Sequence, residues 1–190
     1  MKVGNVLSTA AFLTGKRDLS EKITAQLNGE EVLSQEETEE IGKLIGYYNI
    51  TVSELSDEYF PLVERENMKS QDGRFYYKNF KKVPLEIKSV TSRNIPVTFK
   101  VYPTYFTAEP GDVEVTYAYR YENKKNLDDI CEYFGTAISE RIIAEGVVSE
   151  WLMNDGMFEE AVMWRTRYVN SLKNCLVKRK VGKIKPRGWY

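Results

Sequence analysis

The chain has 190 residues, no histidine and two cysteines, with 27 basic against 28 acidic side chains and a net charge of −1. That length fits one compact unit or a unit with a small subdomain, and 42% apolar residues with 13% aromatics suffice for a packed core, which excludes wholesale disorder. Without histidine there is no Ser-His-Asp triad, no Cys-His pair and no His-containing zinc site, and two cysteines build neither a Cys-only zinc site nor a disulfide framework.

Residues 1–62 read as helical. Val6, Leu7, Ala10, Ala11 and Leu13 fit a short buried helix ending near Gly15. The apolar run there is interrupted by Asn5, Ser8 and Thr9, too short and polar for a membrane span and weak as a signal peptide, which predicts a soluble protein folded in the cytoplasm. Ser20 can cap a further turn through Leu27, closed by Asn28-Gly29. Ser34 and Glu37 match a capping box, and Ile41, Leu44, Ile45 and Tyr48 follow at helical spacing. A second helix is expected from Ser53, stopped by Pro61.

Residues 63–123 change character. The stretch Val113 to Tyr121 alternates, with Val113, Val115, Tyr117, Tyr119 and Tyr121 on one face and Glu114, Thr116, Ala118 and Arg120 on the other, the period of a strand. Asp72-Gly73 and Pro110-Gly111-Asp112 supply turns, while Pro96 and Pro103 suit strand starts or edges. About four antiparallel strands are expected. Their tyrosines and phenylalanines read mainly as sheet core, and tyrosine on an exposed sheet face would suit an interface.

Residues 124–180 return to helical spacing. Leu127, Ile130, Cys131, Phe134, Ile138 and Ile142 form one stripe, with Asn126 or Asp128 as its cap. Asn154-Asp155-Gly156 then makes a tight turn. Phe158, Ala161, Trp164, Tyr168, Leu172 and Cys175 form a second stripe. This predicts an αα-hairpin packed on its apolar faces. The fold class is α+β: a helical bundle with a C-terminal αα-hairpin and an inserted antiparallel β region. Cys131 and Cys175 read as small buried apolar residues, the alternatives being one bridge or a reactive thiol.

No phosphate-binding glycine loop or nucleophile elbow occurs, and no cofactor or metal is expected. Asp128, Asp129, Glu132, Glu159 and Glu160 read as charges favouring helix N-termini, and Glu36, Glu37, Glu39 and Glu40 as a solvated helix face. The basic end stands out more. From Arg165 to Tyr190 there are nine Lys or Arg and no acid, which leaves residues 1–164 with 18 basic and 28 acidic side chains. Residues 181–190 are expected to form an extended basic arm in which Lys183, Lys185 and Arg187 are interleaved with Ile184, Trp189 and Tyr190. Such an arm suits docking on an acidic protein or contact with phosphates and bases, or it is an inert solubilising tail. The acidic body argues against a dedicated nucleic-acid binder.

The hairpin carries a further pattern: Arg141, Ile142, Gly146, Glu150, Gly156, Met157, Glu160, Ala161, Trp164, Arg167, Tyr168 and Leu172, then Arg187 and Trp189 in the basic end. In these residues, and in the order helices, β insertion, hairpin, tail, the chain resembles the head–tail connector (adaptor, or tubular-tail-protein-A-like) family of tailed phages and prophages. The resemblance implies a structural protein without catalysis. It would be monomeric alone and a ring when assembled, dodecameric in the family, seated beneath the portal in the bacterial cytoplasm and then in the virion. Its partners would be the portal protein, tail proteins and further copies, with possible non-specific DNA contact and no membrane. The arm residues Lys183, Ile184, Lys185, Arg187, Trp189 and Tyr190 would engage the portal, and Trp164, Arg167 and Tyr168 are interface candidates. The competing readings are a nucleic-acid-binding accessory protein using the basic end and a small enzyme with a pocket on the β zone.

Overall fold

A computed structural model describes residues 1–30, 33–133 and 135–180, the last four by backbone alone. The fold is α+β, with five α-helices and two antiparallel sheets among the described residues. It divides into two compact units. One is Met1–Ser53 together with the chain from Asn123 onward, and the other is Glu54–Glu122. The inserted unit thus begins earlier than the β signals suggest and takes in the end of the first helical zone.

The helical unit opens with α1 (Val3–Leu13), whose Val3, Val6, Leu7, Ala10 and Ala11 are buried at the expected three- and four-residue steps. Helix α2 (Arg17–Asn28) buries Leu19 and Ile23; it begins before Ser20, which lies inside it. Helix α3 (Gln35–Glu54) starts with the expected capping box. The Glu37 N–H donates to Ser34 Oγ at 3.3 Å and the Ser34 N–H donates to Glu37 Oε2 at 2.8 Å. No break occurs at Ser53. The helix runs on and widens into a π-helical turn over Leu55–Tyr59, because buried Val52 and Leu55 prolong the apolar stripe, and it stops only before Pro61.

The hairpin's first helix, α4 (Glu140–Asn154), starts well after Asn126. Residues 123–133 are not helical, because the chain's own beginning takes up their backbone groups. The Val3 N–H donates to the Asp129 carbonyl at 2.8 Å, Gly4 to Leu127 at 2.9 Å and Cys131 to Met1 at 3.2 Å, around a bridge between Lys2 and Ile130. Leu127, Cys131 and Ile138 are buried as the stripe predicted, while Ile130 faces solvent; Phe134 lies outside the described residues. The acids here therefore do not sit at a helix start. Asp128 pairs with Lys2 and Glu132 with Lys124. Asp129 accepts the Lys125 and Asn126 N–H groups, which hold its carboxyl below the usual range. Cys131 and Cys175 are free and buried, and burial pushes the Cys131 thiol up.

The inserted unit holds seven strands rather than about four: β1 (Val63–Ser70), β2 (Arg74–Tyr76), β3 (Pro84–Ser92), β4 (Ile95–Pro96), β5 (Lys100–Val101), β6 (Tyr105–Thr107) and β7 (Gly111–Tyr119). One sheet has the order β1-β7-β3-β4, the other β2-β6-β5, and all pairs are antiparallel. The alternation read from the sequence belongs to the central strand β7, which buries Val113, Val115, Tyr117 and Tyr119; Ala118, expected to face out, is buried as well. Pro96 occupies edge strand β4, where no ladder donor is needed. Pro103 lies in the turn between β5 and β6. Gly73 turns the chain into β2 at φ +74°, and a Cβ there would fall 2.5 Å from the Ala108 carbonyl oxygen.

Candidate functional site

The hairpin formed by α4 and α5 (Phe158–Lys180) holds the residues that carried the sequence pattern. Its turn is the expected one. Gly156 takes φ +79°, and the Met157 N–H donates back to the Leu152 carbonyl at 2.9 Å, closing α4 with a left-handed residue. Ala161, Tyr168, Leu172 and Cys175 of the predicted stripe are buried. Phe158, the first residue of α5, is not: it is 62% exposed.

Gly146 is the point of closest approach. A Cβ at this position would lie 2.5 Å from Thr51 Cγ2 and 3.1 Å from the Tyr168 ring, so only glycine lets α3 and α5 close on α4 here. Beside it sits Glu145, 3% exposed in the middle of an apolar run. Its carboxylate receives Arg167 Nε at 3.0 Å, Arg141 Nε at 3.4 Å and the Ser171 hydroxyl at 3.1 Å. Burying a carboxylate is costly unless it is paired and hydrogen-bonded, and these three donors, from both helices, meet that requirement. Ser149, also buried, donates to the Ala161 carbonyl at 3.2 Å.

The interface candidates separate. Tyr168 is fully buried, so it is a core residue beneath Gly146 and presents no surface to a partner. Arg167 is exposed but committed to Glu145, and its guanidinium lies 5.1 Å from the half-buried Trp164 ring. The arm residues Lys183, Ile184, Lys185, Arg187, Trp189 and Tyr190 lie outside the described residues.

Two features escape the sequence patterns. Glu145 had a signal, a lone acid inside Ile142–Val148, which is the mark of a paired buried charge. The other is an exposed apolar group around the turn and on α5: Met153, Met157, Phe158, Val162 and Met163 are each 44–64% exposed. Helical spacing alone assigns no side to Val162 and Met163, because the α5 stripe is defined by what α4 covers.

Among the described residues no group of three or more Cys, Asp or Glu is placed to hold a metal ion, and no helix is long and apolar enough to cross a membrane. No protein-family model matches the sequence, and no curated protein matches it either.

Proposed function

We propose that this chain is a structural head–tail connector of a tailed phage or prophage, which assembles as a ring on the portal and links capsid to tail without a catalytic step. The observation that carries the reading is the residue pattern of the hairpin. Its members divide into those that build the hairpin and those that remain outside the core. Gly146, Gly156, Ala161, Tyr168 and Leu172 build it, and Arg141 and Arg167 neutralise Glu145. Met157 is left in solvent and Trp164 half-exposed. An exposed apolar group on a helix that already has its own core is the kind of surface a neighbouring subunit covers. In this reading Met153, Phe158, Val162 and Met163 face another protein of the assembly, while residues 181–190 engage the portal with Trp189 and Tyr190 as anchors. The protein is made in the bacterial cytoplasm and ends in the virion.

Co-sedimentation with preformed portal rings tests the proposal. The full chain is expected to pellet with the rings, and a chain lacking residues 181–190 is expected to keep its circular dichroism spectrum but stay in the supernatant. Failure of the full chain to bind portal rings rejects the connector role, and equal binding by the shortened chain rejects the arm. The nine cations and absent acids from Arg165 onward favour one second reading, an accessory protein that binds nucleic acid through this end. A steep fall in DNA affinity with salt, removed by neutralising Lys183, Lys185 and Arg187, would favour it.

A further inference from the structure

The small sheet of the inserted unit has two faces of different chemistry. One carries Phe75 and Phe106, both buried, their rings stacked with centroids 4.9 Å apart. On the other face the register places tyrosines side by side on all three strands. Tyr76 of β2 pairs with Tyr105 of β6, and the Tyr102 N–H donates to the Tyr105 carbonyl at the end of β5. The rings follow that order. Tyr102 and Tyr105 are stacked with centroids 4.8 Å apart, and Tyr105 and Tyr76 are tilted with centroids 5.6 Å apart. Tyr76 is 37% exposed and Tyr102 40%, with Tyr105 half-buried between them, so the two outer rings are not core. A solvated sheet face needs no aromatic ring, and three in adjacent strands are more than scattered exposure accounts for.

Two residues along the strands, about 7 Å away, runs a second row. Arg74 pairs with Thr107, which pairs with Lys100. Arg74 lies 5.9 Å from the Tyr105 ring, and Lys78, which is not part of this row but of the turn after β2, approaches the Tyr76 ring at 5.7 Å. Arg74, Lys78 and Lys100 are exposed and form no salt bridge among the described residues. Arg74 is engaged first by the Tyr76 hydroxyl and then by Tyr105, so it is tied into the tyrosine row; the carboxylate that bears on it more weakly is Asp72, whose oxygen already accepts the Ser70 hydroxyl and the Arg74 backbone N–H.

We propose that this face binds single-stranded nucleic acid, with bases stacking on the outer rings Tyr76 and Tyr102, which Tyr105 holds in place from between them, and phosphates meeting Arg74, Lys78 and Lys100. Rings flanked by cations, with Arg74 and Lys100 at the two ends of one row and Lys78 beyond Tyr76, match a polymer that carries planar groups and charges together. A neutral sugar would use the rings and leave the cations idle. An acidic protein would use the cations and leave the stacked rings idle. A duplex keeps its bases stacked inside and offers the rings nothing. The proposal is independent of the connector reading, and it uses a surface far along the chain from the basic end.

Fluorescence anisotropy of labelled oligothymidylate with the full chain at low salt tests it, beside a duplex of equal length. The single strand is expected to bind more tightly. Tyr102→Ala with Tyr105→Ala should weaken it about tenfold or more, while Tyr102→Phe with Tyr105→Phe keeps the binding, which separates the ring from the hydroxyl. Arg74→Gln with Lys100→Gln should flatten the logarithmic salt slope by about 0.7 for each phosphate that is no longer neutralised. Lys183→Gln, Lys185→Gln and Arg187→Gln together should leave the effect of the alanine pair intact. Duplex binding as tight as the single strand overturns the proposal. So does wild-type affinity in the alanine pair, or displacement by polyglutamate at equal charge, which would make the face a docking surface for acidic protein.

Discussion

The two units solve the same packing problem with different materials. The helical unit is assembled from stretches far apart in the chain. Its first residues pair with 127–131, and α4 packs against both α1 and α5. Its core is largely aliphatic stripes, locked at one glycine and one buried carboxylate. The β unit is one continuous stretch whose core is aromatic, with Phe75 stacked on Phe106 and Phe80 edge-on to Tyr117 at 4.6 Å. Continuous strands can close their own core locally, whereas the helical unit must bring its two halves together across the whole insertion, a longer loop closure. The buried carboxylate of the helical unit, Glu145, and the buried Ser149 both lie on α4.

The largest effects should come from emptying each core in turn. Tyr168 and Phe106 are both fully buried. Tyr168→Ala and Phe106→Ala are each expected to cost about 3–5 kcal/mol, the range for deleting a buried aromatic side chain. If the units are separate cooperative bodies, hydrogen exchange read by mass spectrometry should show Phe106→Ala losing protection in β1–β7 while α1, α4 and α5 keep theirs. Tyr168→Ala should do the reverse. Loss of protection throughout the chain in both variants would show a single cooperative unit instead.

How much of this was legible in the sequence follows from the range of the interactions. The hairpin turn, the capping box and the alternation of β7 are set by neighbours within a few residues, and each appears where its pattern predicts. The helix expected from Asn126 does not form, since its competitor is the chain's own N-terminus, which no local window contains. Four of the seven strands have only two or three residues, too short for a periodic signal. The two-residue turn between β3 and β4 uses Arg93 and Asn94 at positive φ, a type I′ geometry that Asn permits and Arg does not advertise. Tyr168 was legible as a member of the stripe, yet only the depth of Gly146 shows that it is wholly interior. The exposed face of α5 was not legible, because exposure depends on which side α4 covers.

A smaller effect separates two ways of breaking the polar lock in the helical unit. Arg167 and Arg141 have side chains 51% and 59% exposed, whereas that of Glu145 is only 4% exposed. Removing the acid by Glu145→Met frees the arginines to turn into water and fills the site with apolar volume. Removing the base by Arg167→Met leaves a buried carboxylate with Arg141 and Ser171 alone. The second is therefore expected to be the more damaging, by about 1–3 kcal/mol against a near-neutral first. Urea midpoints of the two variants test the order. The reverse order would mean that the acid stabilises the hairpin beyond satisfying its own burial.

The smallest effects are in pH, and they fall on opposite limbs for the two units. In the helical unit the Glu37 carboxyl is held down from 4.5 to about 2, first by Lys22 and then by the Ser34 N–H. As pH falls below 4.5 the unfolded chain takes up this proton before the folded one, so the contribution is full above that pH and is lost on the way down to about 2. In the β unit, burial and the hydrogen bond to Glu66 raise the Tyr117 hydroxyl from 10 to about 12. There the unfolded chain releases its proton first, so the contribution is full below pH 10 and drains as pH rises towards 12. Urea titrations across pH should show Glu37→Gln flattening the acid limb and Tyr117→Phe the alkaline one. The Glu37 effect should shrink in high salt because Lys22 and Glu37 are partly solvated, while the Tyr117 effect, inside the aromatic core, should hardly respond. Equal salt sensitivity on both limbs would place the two groups in similar surroundings and remove the contrast between the units.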